Sequence, residues 1–173
     1  MDTQEKVRNE LKPKEIVFDN DCLDRLLAGC EIVAKAVGAT MGPGGRLATL
    51  AENPRSLFPY ATKDGVTVAK EIILKDRFQK AGAEMLLQAA YQQLQVAGDG
   101  TTLTTILAYE LFREGVSLIK AGINREMVIE GIRAGITHIE DGVLAQVVTC
   151  REFSCLYQVA LIALNGNEEL AKI

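Results

Sequence analysis

The sequence has no tryptophan and a single histidine, and aromatic residues make up only 5% of its 173 positions. With so few rings, Ala, Leu, Ile and Val carry most of the 48% apolar content, a composition that suits packed helices. Basic charge is not in excess, since 19 Lys and Arg stand against 23 Asp and Glu. A net charge of −4 gives no support to the basic surface that nucleic-acid binding needs. No apolar run approaches the roughly 18 residues of a membrane span. The charged opening MDTQEKVRNELKPKE lacks the apolar centre of a secretory signal. The chain therefore reads as cytoplasmic, with neither nucleic acid nor membrane among its partners.

Metal-site chemistry is equally thin. Cys22 and Cys30 lie on one face of a helical pattern and read as small core residues. Cys150 and Cys155 do not form a Cys-x-x-Cys pair, and one histidine leaves a zinc site short of ligands. All four read as reduced structural thiols. His138, between Ile136 and Glu140, reads as a surface or boundary residue.

What is present is helical periodicity broken by glycine. Residues 1–14 are polar and read as a flexible extension, and Glu15–Phe18 as a short edge strand. Asp19-Asn20-Asp21 supplies capping chemistry for a helix whose stripe is Leu23, Leu26, Leu27, Cys30, Val33, Ala34 and Val37. Gly42-Pro43-Gly44-Gly45 stops it. Arg46–Leu50 and Tyr60–Thr62 read as short strands separated by an Asn53-Pro54 turn, and Asp64-Gly65 as a further turn. A second helix runs from Lys75 to about Ala97, with Phe78, Met85, Leu86, Ala89 and Val96 on one side. After Gly98-Asp99-Gly100, a third runs from Thr101 to Lys120 with a stripe of Leu103, Ile106, Leu107, Leu111 and Leu118. Asn124 caps a fourth, reaching about Val147 and carrying Val128, Ile132, Ile136, Ile139 and Val143. A shorter helix spans about Glu152–Leu164, and Asn167 caps a closing segment after the Asn165-Gly166-Asn167 turn.

Two of the glycine interruptions have chemical potential. Asp99-Gly100-Thr101-Thr102 opens a helix, where free N–H groups and the positive dipole end suit phosphate. Gly100 allows close backbone approach, the Thr hydroxyls add donors, and Asp99 can serve Mg²⁺, which takes one or two carboxylates plus phosphate oxygens. In isolation the pentapeptide Gly98-Asp99-Gly100-Thr101-Thr102 is more often a simple cap. Thr40-Met41-Gly42-Pro43-Gly44-Gly45-Arg46 is no Walker loop, because no Lys-Ser/Thr follows its glycines. No Gly-x-Gly-x-x-Gly supports a Rossmann site.

Together, Thr40–Arg46, the run Thr62-Lys63-Asp64-Gly65-Val66-Thr67-Val68-Ala69-Lys70-Glu71-Ile72, and Ala97–Thr102 closely resemble the nucleotide-site segments of chaperonin equatorial domains. The turns Ala121–Asn124 and Asn165–Asn167 also match, and the resemblance extends from about Glu15 to Ile173. Lys63 and the Asn124–Gly131 segment are similar to the group I, GroEL-type branch. The resemblance implies a mainly α, multihelical equatorial-type bundle with a small β element over 15–147, and the start of an intermediate domain over 148–173. It implies ATP, Mg²⁺ and K⁺ as cofactors. Thr40, Met41, Gly42 and Pro43 would line the nucleotide, Asp99 would bind Mg²⁺, and Gly100, Thr101 and Thr102 would hold phosphate oxygens. The Thr40 and Lys63 carbonyls with the Thr102 hydroxyl would form the K⁺ site, and Asp64 would order the attacking water.

Two positions depart from the family pattern. Leu103 stands where a phosphate-facing Thr is usual, and Gly44 replaces a Lys. Family members are also about three times longer, so the resemblance implies a fragment that is inactive alone. The implied function is an ATP-dependent ring subunit that folds non-native polypeptides, with identical subunits, clients and a co-chaperonin lid as partners. A non-catalytic chaperonin-like scaffold is the alternative, and a small independent ATPase a remote third.

Overall fold

The computed structural model describes residues 15–42, 44–50, 59–164 and 166–173. The expected extension over 1–14, Pro43, the Asn53-Pro54 turn and Asn165 lie outside the described residues. In chain order the elements are α1 (Asp19–Gly38), β1 (Ala48–Leu50), β2 (Tyr60–Thr62), α2 (Gly65–Lys70) and α3 (Arg77–Ala97). Then follow α4 (Thr101–Lys120), α5 (Arg125–Leu144), α6 (Phe153–Ala163) and α7 (Glu168–Ala171). The mainly helical class expected from composition is the one observed. β1 and β2 pair antiparallel, with Ala48 opposite Thr62 and Leu50 opposite Tyr60.

By contact the chain divides into a unit over 1–128 and a second over 129–173. The core of the first is built on α1. Cys30, Val33, Ala34 and Val37 recur at 3–4 spacing and are buried, with Ala69 of α2 and Ala83 and Leu86 of α3 against them. Ala108, Tyr109 and Phe112 of α4 close the cluster. Burying each valine or leucine contributes about 1.5–3 kcal/mol.

Two glycines decide how closely α1 and α3 approach. A Cβ on Gly29 would lie 2.6 Å from the carbonyl carbon of Gln79, and one on Gly82 would lie 2.8 Å from that of Leu26. The helices thus touch backbone to backbone. The Cys30 thiol donates to the Gly82 carbonyl across this contact at 3.2 Å. Burial pushes the Cys30 thiol up to about 11, so it stays neutral and unreactive.

Several expectations are corrected. Residues 15–18 form no strand: Phe18 has extended dihedrals but no ladder partner among the described residues, and it serves as the N-cap of α1 without a side-chain bond. Asp19 and Asp21 give no cap bond, but they supply the expected negative charge in the first turn, where it favours the helix dipole. The short helix α2 was not anticipated. On α3 the buried side is Gly82, Ala83, Leu86 and Ala90, whereas Met85 and Val96 are exposed. On α4 it is Thr105, Gly115 and Val116, and Leu103, Leu107, Leu111 and Leu118 are exposed. Small residues mark the core faces because the helices meet so closely there.

In the second unit, Cys150 and Cys155 are joined by a disulfide rather than reduced. The first turn of α6 brings Cys155 back towards the loop, leaving the two Cα atoms 5.8 Å apart, within bridging range. Asn124 and Asn167 cap as expected, accepting from Glu126 N at 2.8 Å and Leu170 N at 3.2 Å.

The glycine crossing generates a paired prediction. Alanine is favoured over glycine inside a helix by about 1 kcal/mol, and Gly131 has open space where a Cβ would sit. Gly131→Ala should therefore stabilise the protein by up to about 1 kcal/mol. Gly82→Ala should instead destabilise it by about 1–3 kcal/mol or more, because the obstructing atoms are backbone. Denaturant titration of both variants checks this; equal stabilisation by both would rule out the close crossing.

Candidate functional site

The three glycine-bearing segments meet at one end of the first unit. A Cβ on Gly65, the first residue of α2, would lie 2.5 Å from Thr102 Oγ1 and 2.8 Å from Val37 Cγ1. Gly38, ending α1, has open room only up to Ile106 Cδ1 of α4, 3.6 Å from its Cβ position. The end of α1 and the starts of α2 and α4 are therefore in direct contact.

In the first segment Thr40 is buried, and its hydroxyl donates to the Val37 carbonyl at 2.7 Å. That hydroxyl is spent on its own helix. Arg46 N–H donates to the Ala39 carbonyl at 2.8 Å and closes the turn. Gly42 takes φ 78°, and Gly45 lies so flat on the Thr40 carbonyl that a Cβ would come 2.6 Å from its carbon. Met41 and Gly42 are exposed.

In the second, Asp64 is the N-cap of α2. Its carboxylate accepts from Val66 N at 3.3 Å and Thr67 N at 3.1 Å, and also from the Thr67 hydroxyl. Thr62 Oγ1 accepts from Asp64 N–H at 3.0 Å, tying β2 to the cap. Lys63 is exposed beside it. At the other end of α2, the Lys70 ammonium stands 4.8 Å from the centre of the Tyr91 ring. Its hydrogen bond to Tyr91, with Asp64 and Tyr60 nearby, raises its pKa and keeps it cationic.

The third segment is a turn between α3 and α4. Gly98 and Gly100 adopt φ 73° and 80°, with exposed Asp99 between them. Gly100 N–H donates to Asp99 Oδ1 at 2.6 Å, and Gln93 Nε2 donates to the Asp99 carbonyl at 3.0 Å. Gly100 is the N-cap of α4 and offers no side-chain bond, so the first-turn N–H groups of Thr101, Thr102 and Leu103 lack the side-chain cap that Asp64 gives α2 and Asp76 gives α3. Thr101 contributes its carbonyl to the Thr105 hydroxyl at 2.9 Å. Leu103 is 47% exposed and does not serve the core.

Thus Thr40, Asp64 and Thr102 belong to segments that touch, while Pro43 lies outside the described residues. Thr67 and Gln93 were not singled out from sequence. The Asp-x-x-Thr spacing of a helix start could have flagged Thr67; nothing in the sequence marks Gln93. Among the described residues no three His, Cys, Asp or Glu side chains converge. A divalent ion here would draw most of its ligands from phosphate and water, which suits Mg²⁺ rather than zinc. A separate groove of about 620 Å³, lined by Phe18, Leu23, Ile119, Asn124 and Arg125, lies at the opposite ends of α1 and α4. It holds none of the expected site residues. No described helix is long and apolar enough to cross a membrane.

Residues 33–173 match the model of the TCP-1/cpn60 chaperonin family. Among solved structures, the chain is similar to the chaperonin gp146 from the bacteriophage EL 2 (Pseudomonas aeruginosa), crystallised in the presence of ATP-BeFx. The identity is 27% and the TM-score 0.72, covering 88% of this chain and 26% of that one. A group III chaperonin in the open state is 26% identical with a TM-score of 0.74, covering 88% of this chain and 30% of that one. The chain thus spans less than a third of the length of either. Family match, fold and the order of the three segments agree: this chain belongs to the TCP-1/cpn60 chaperonin family.

Proposed function

We propose that the chain is the nucleotide-binding part of an ATP-hydrolysing chaperonin subunit, which assembles into rings with identical subunits and assists the folding of non-native polypeptides in the cytoplasm. The observation that supports this is the contact of Gly65 with both Val37 and Thr102, which brings the end of α1 and the starts of α2 and α4 together. The N-terminus of α4 starts there without a side-chain cap, and a free helix N-terminus favours anions. The similar phage chaperonin was crystallised with an ATP mimic, which supports the same ligand class here.

In this reading Thr40, Met41, Gly42 and Pro43 line the nucleotide, and Gly100, Thr101 and Thr102 hold phosphate oxygens. Asp99 would bind Mg²⁺, whose chemistry is to neutralise phosphate charge and orient the transferred group. The Thr40 and Lys63 carbonyls with the Thr102 hydroxyl would hold K⁺. Asp64 would orient water near the terminal phosphate, its carboxylate aimed by Val66 N–H and by the backbone and side chain of Thr67. The equatorial division at 15–147, the intermediate-domain start at 148–173 and the co-chaperonin lid belong to the same proposal. So does the group I assignment, which rests on Lys63 and the Asn124–Gly131 segment. The exposed Leu103 favours a second reading, a scaffold with weak or absent hydrolysis, because it removes one hydroxyl from the first turn of α4.

Turnover measurements separate the two. In the native-length protein, Asp99→Ala should abolish Mg-ATP hydrolysis while circular dichroism stays unchanged; wild-type turnover in that variant would remove the metal role. Leu103→Thr should tighten Mg-ATP binding, since a hydrogen bond to a charged oxygen is worth about 1.5–3 kcal/mol, or one to two decades. Calorimetric titration that finds unchanged affinity alongside a lower melting temperature would show that Leu103 serves packing instead.

A further inference from the structure

Gln93 lies near the C-terminal end of α3 and is half-buried, whereas its neighbours Gln92 and Gln95 are exposed. Its side chain reaches forward past the helix end. Nε2 donates to the Asp99 carbonyl at 3.0 Å and stands 3.4 Å from where a Cβ on Gly100 would sit. The turn it touches has unusual freedom, because Gly98 and Gly100 flank Asp99 and both occupy left-handed backbone.

The geometry of one peptide plane gives this bond its reach. The Asp99 carbonyl and the Gly100 N–H belong to the same planar trans unit and point in opposite directions. Holding the carbonyl therefore fixes the direction of the N–H. That N–H in turn donates to Asp99 Oδ1 at 2.6 Å. Gln93, the Asp99–Gly100 peptide and the Asp99 carboxylate form a chain in which each link orients the next.

We propose that Gln93 is a positioning residue for the nucleotide site, holding the Asp99–Gly100 peptide so that the Asp99 carboxylate is aimed for a divalent cation bound with nucleotide. The inference rests on the nucleotide reading above. An exposed neutral hydrogen bond contributes little to global stability, but metal and phosphate contacts are sensitive to small displacements of their supports. Gln93 should therefore matter for Mg²⁺ more than for folding.

The test uses native-length protein and Gln93→Met, which keeps the length of the side chain and removes the donor. Mg²⁺ is titrated by calorimetry into protein saturated with ADP, and ADP is titrated separately in the presence of a chelator. The apparent Kd for Mg²⁺ should rise about three- to tenfold in the variant. ADP affinity without metal and the melting temperature should stay at wild-type values. Gln93→Asn, whose amide is too short to reach the carbonyl, should match Gln93→Met. Wild-type Mg²⁺ affinity in both variants would overturn the role of Gln93 while leaving the nucleotide site standing. So would a melting temperature and both affinities falling together, which is what a purely structural contact gives. If the wild-type protein binds neither ADP nor Mg-ADP, the nucleotide reading itself fails, and this inference with it.

Discussion

The backbone contact between α1 and α3 is the constraint on which the rest of the first unit depends. Gly29 and Gly82 let the two helices approach until the carbonyls of Gln79 and Leu26 face the other helix's backbone with no side chain between. The Cys30 thiol donates to the Gly82 carbonyl across the same crossing. With this distance set, small residues such as Ala34, Ala83 and Ala90 fill the crossing, and Val33, Val37 and Leu86 seal it. A larger residue at either glycine would separate the helices and move everything attached to their ends.

Those ends matter because the proposed nucleotide contacts are attached to them. The C-terminus of α1 delivers Thr40, and the C-terminus of α3 delivers the Gly98–Gly100 turn. The short helix α2 then bridges them, its first glycine lying against Val37 on one side and Thr102 on the other. Several polar groups that sequence suggests for ligand contact are engaged in holding the backbone. The Thr40 hydroxyl closes its own helix, and the Asp64 carboxylate caps α2. What the end of the unit presents instead is mostly backbone, the first-turn N–H groups of α4 that no side chain caps. Such groups cost no reorganisation when an anion arrives, which is the physical attraction of a phosphate site made from helix termini.

Much of this was legible in the sequence, for identifiable reasons. Helices α1, α3, α4 and α5 declare themselves by period and by the glycines and asparagines at their ends. Gly98-Asp99-Gly100 marks its own turn, because residues at positive φ select for glycine. Apolar size is a poor guide to the core faces of α3 and α4. The structure buries Gly82, Ala83, Gly115 and Val116, and leaves Met85, Leu103 and Leu107 outside. Phe18 has strand-like dihedrals, yet a strand exists only with a partner. Helix α2 is six residues long and rich in β-branched Val and Thr, so its period is invisible; the Asp64 cap is its only local signal. The Cys150–Cys155 bond and the Gln93–Asp99 contact depend on where two chain segments meet, which residue spacing alone does not specify.

The central claim is that residues 40–46, 63–67 and 99–104 form a single nucleotide site. Amide hydrogen exchange of the native-length protein, with and without Mg-ADP, tests it most directly. All three segments should gain protection together at one nucleotide concentration, while residues 17–23 and 124–126 around the separate groove stay unchanged. Protection confined to one segment, or appearing at the groove instead, would contradict the account.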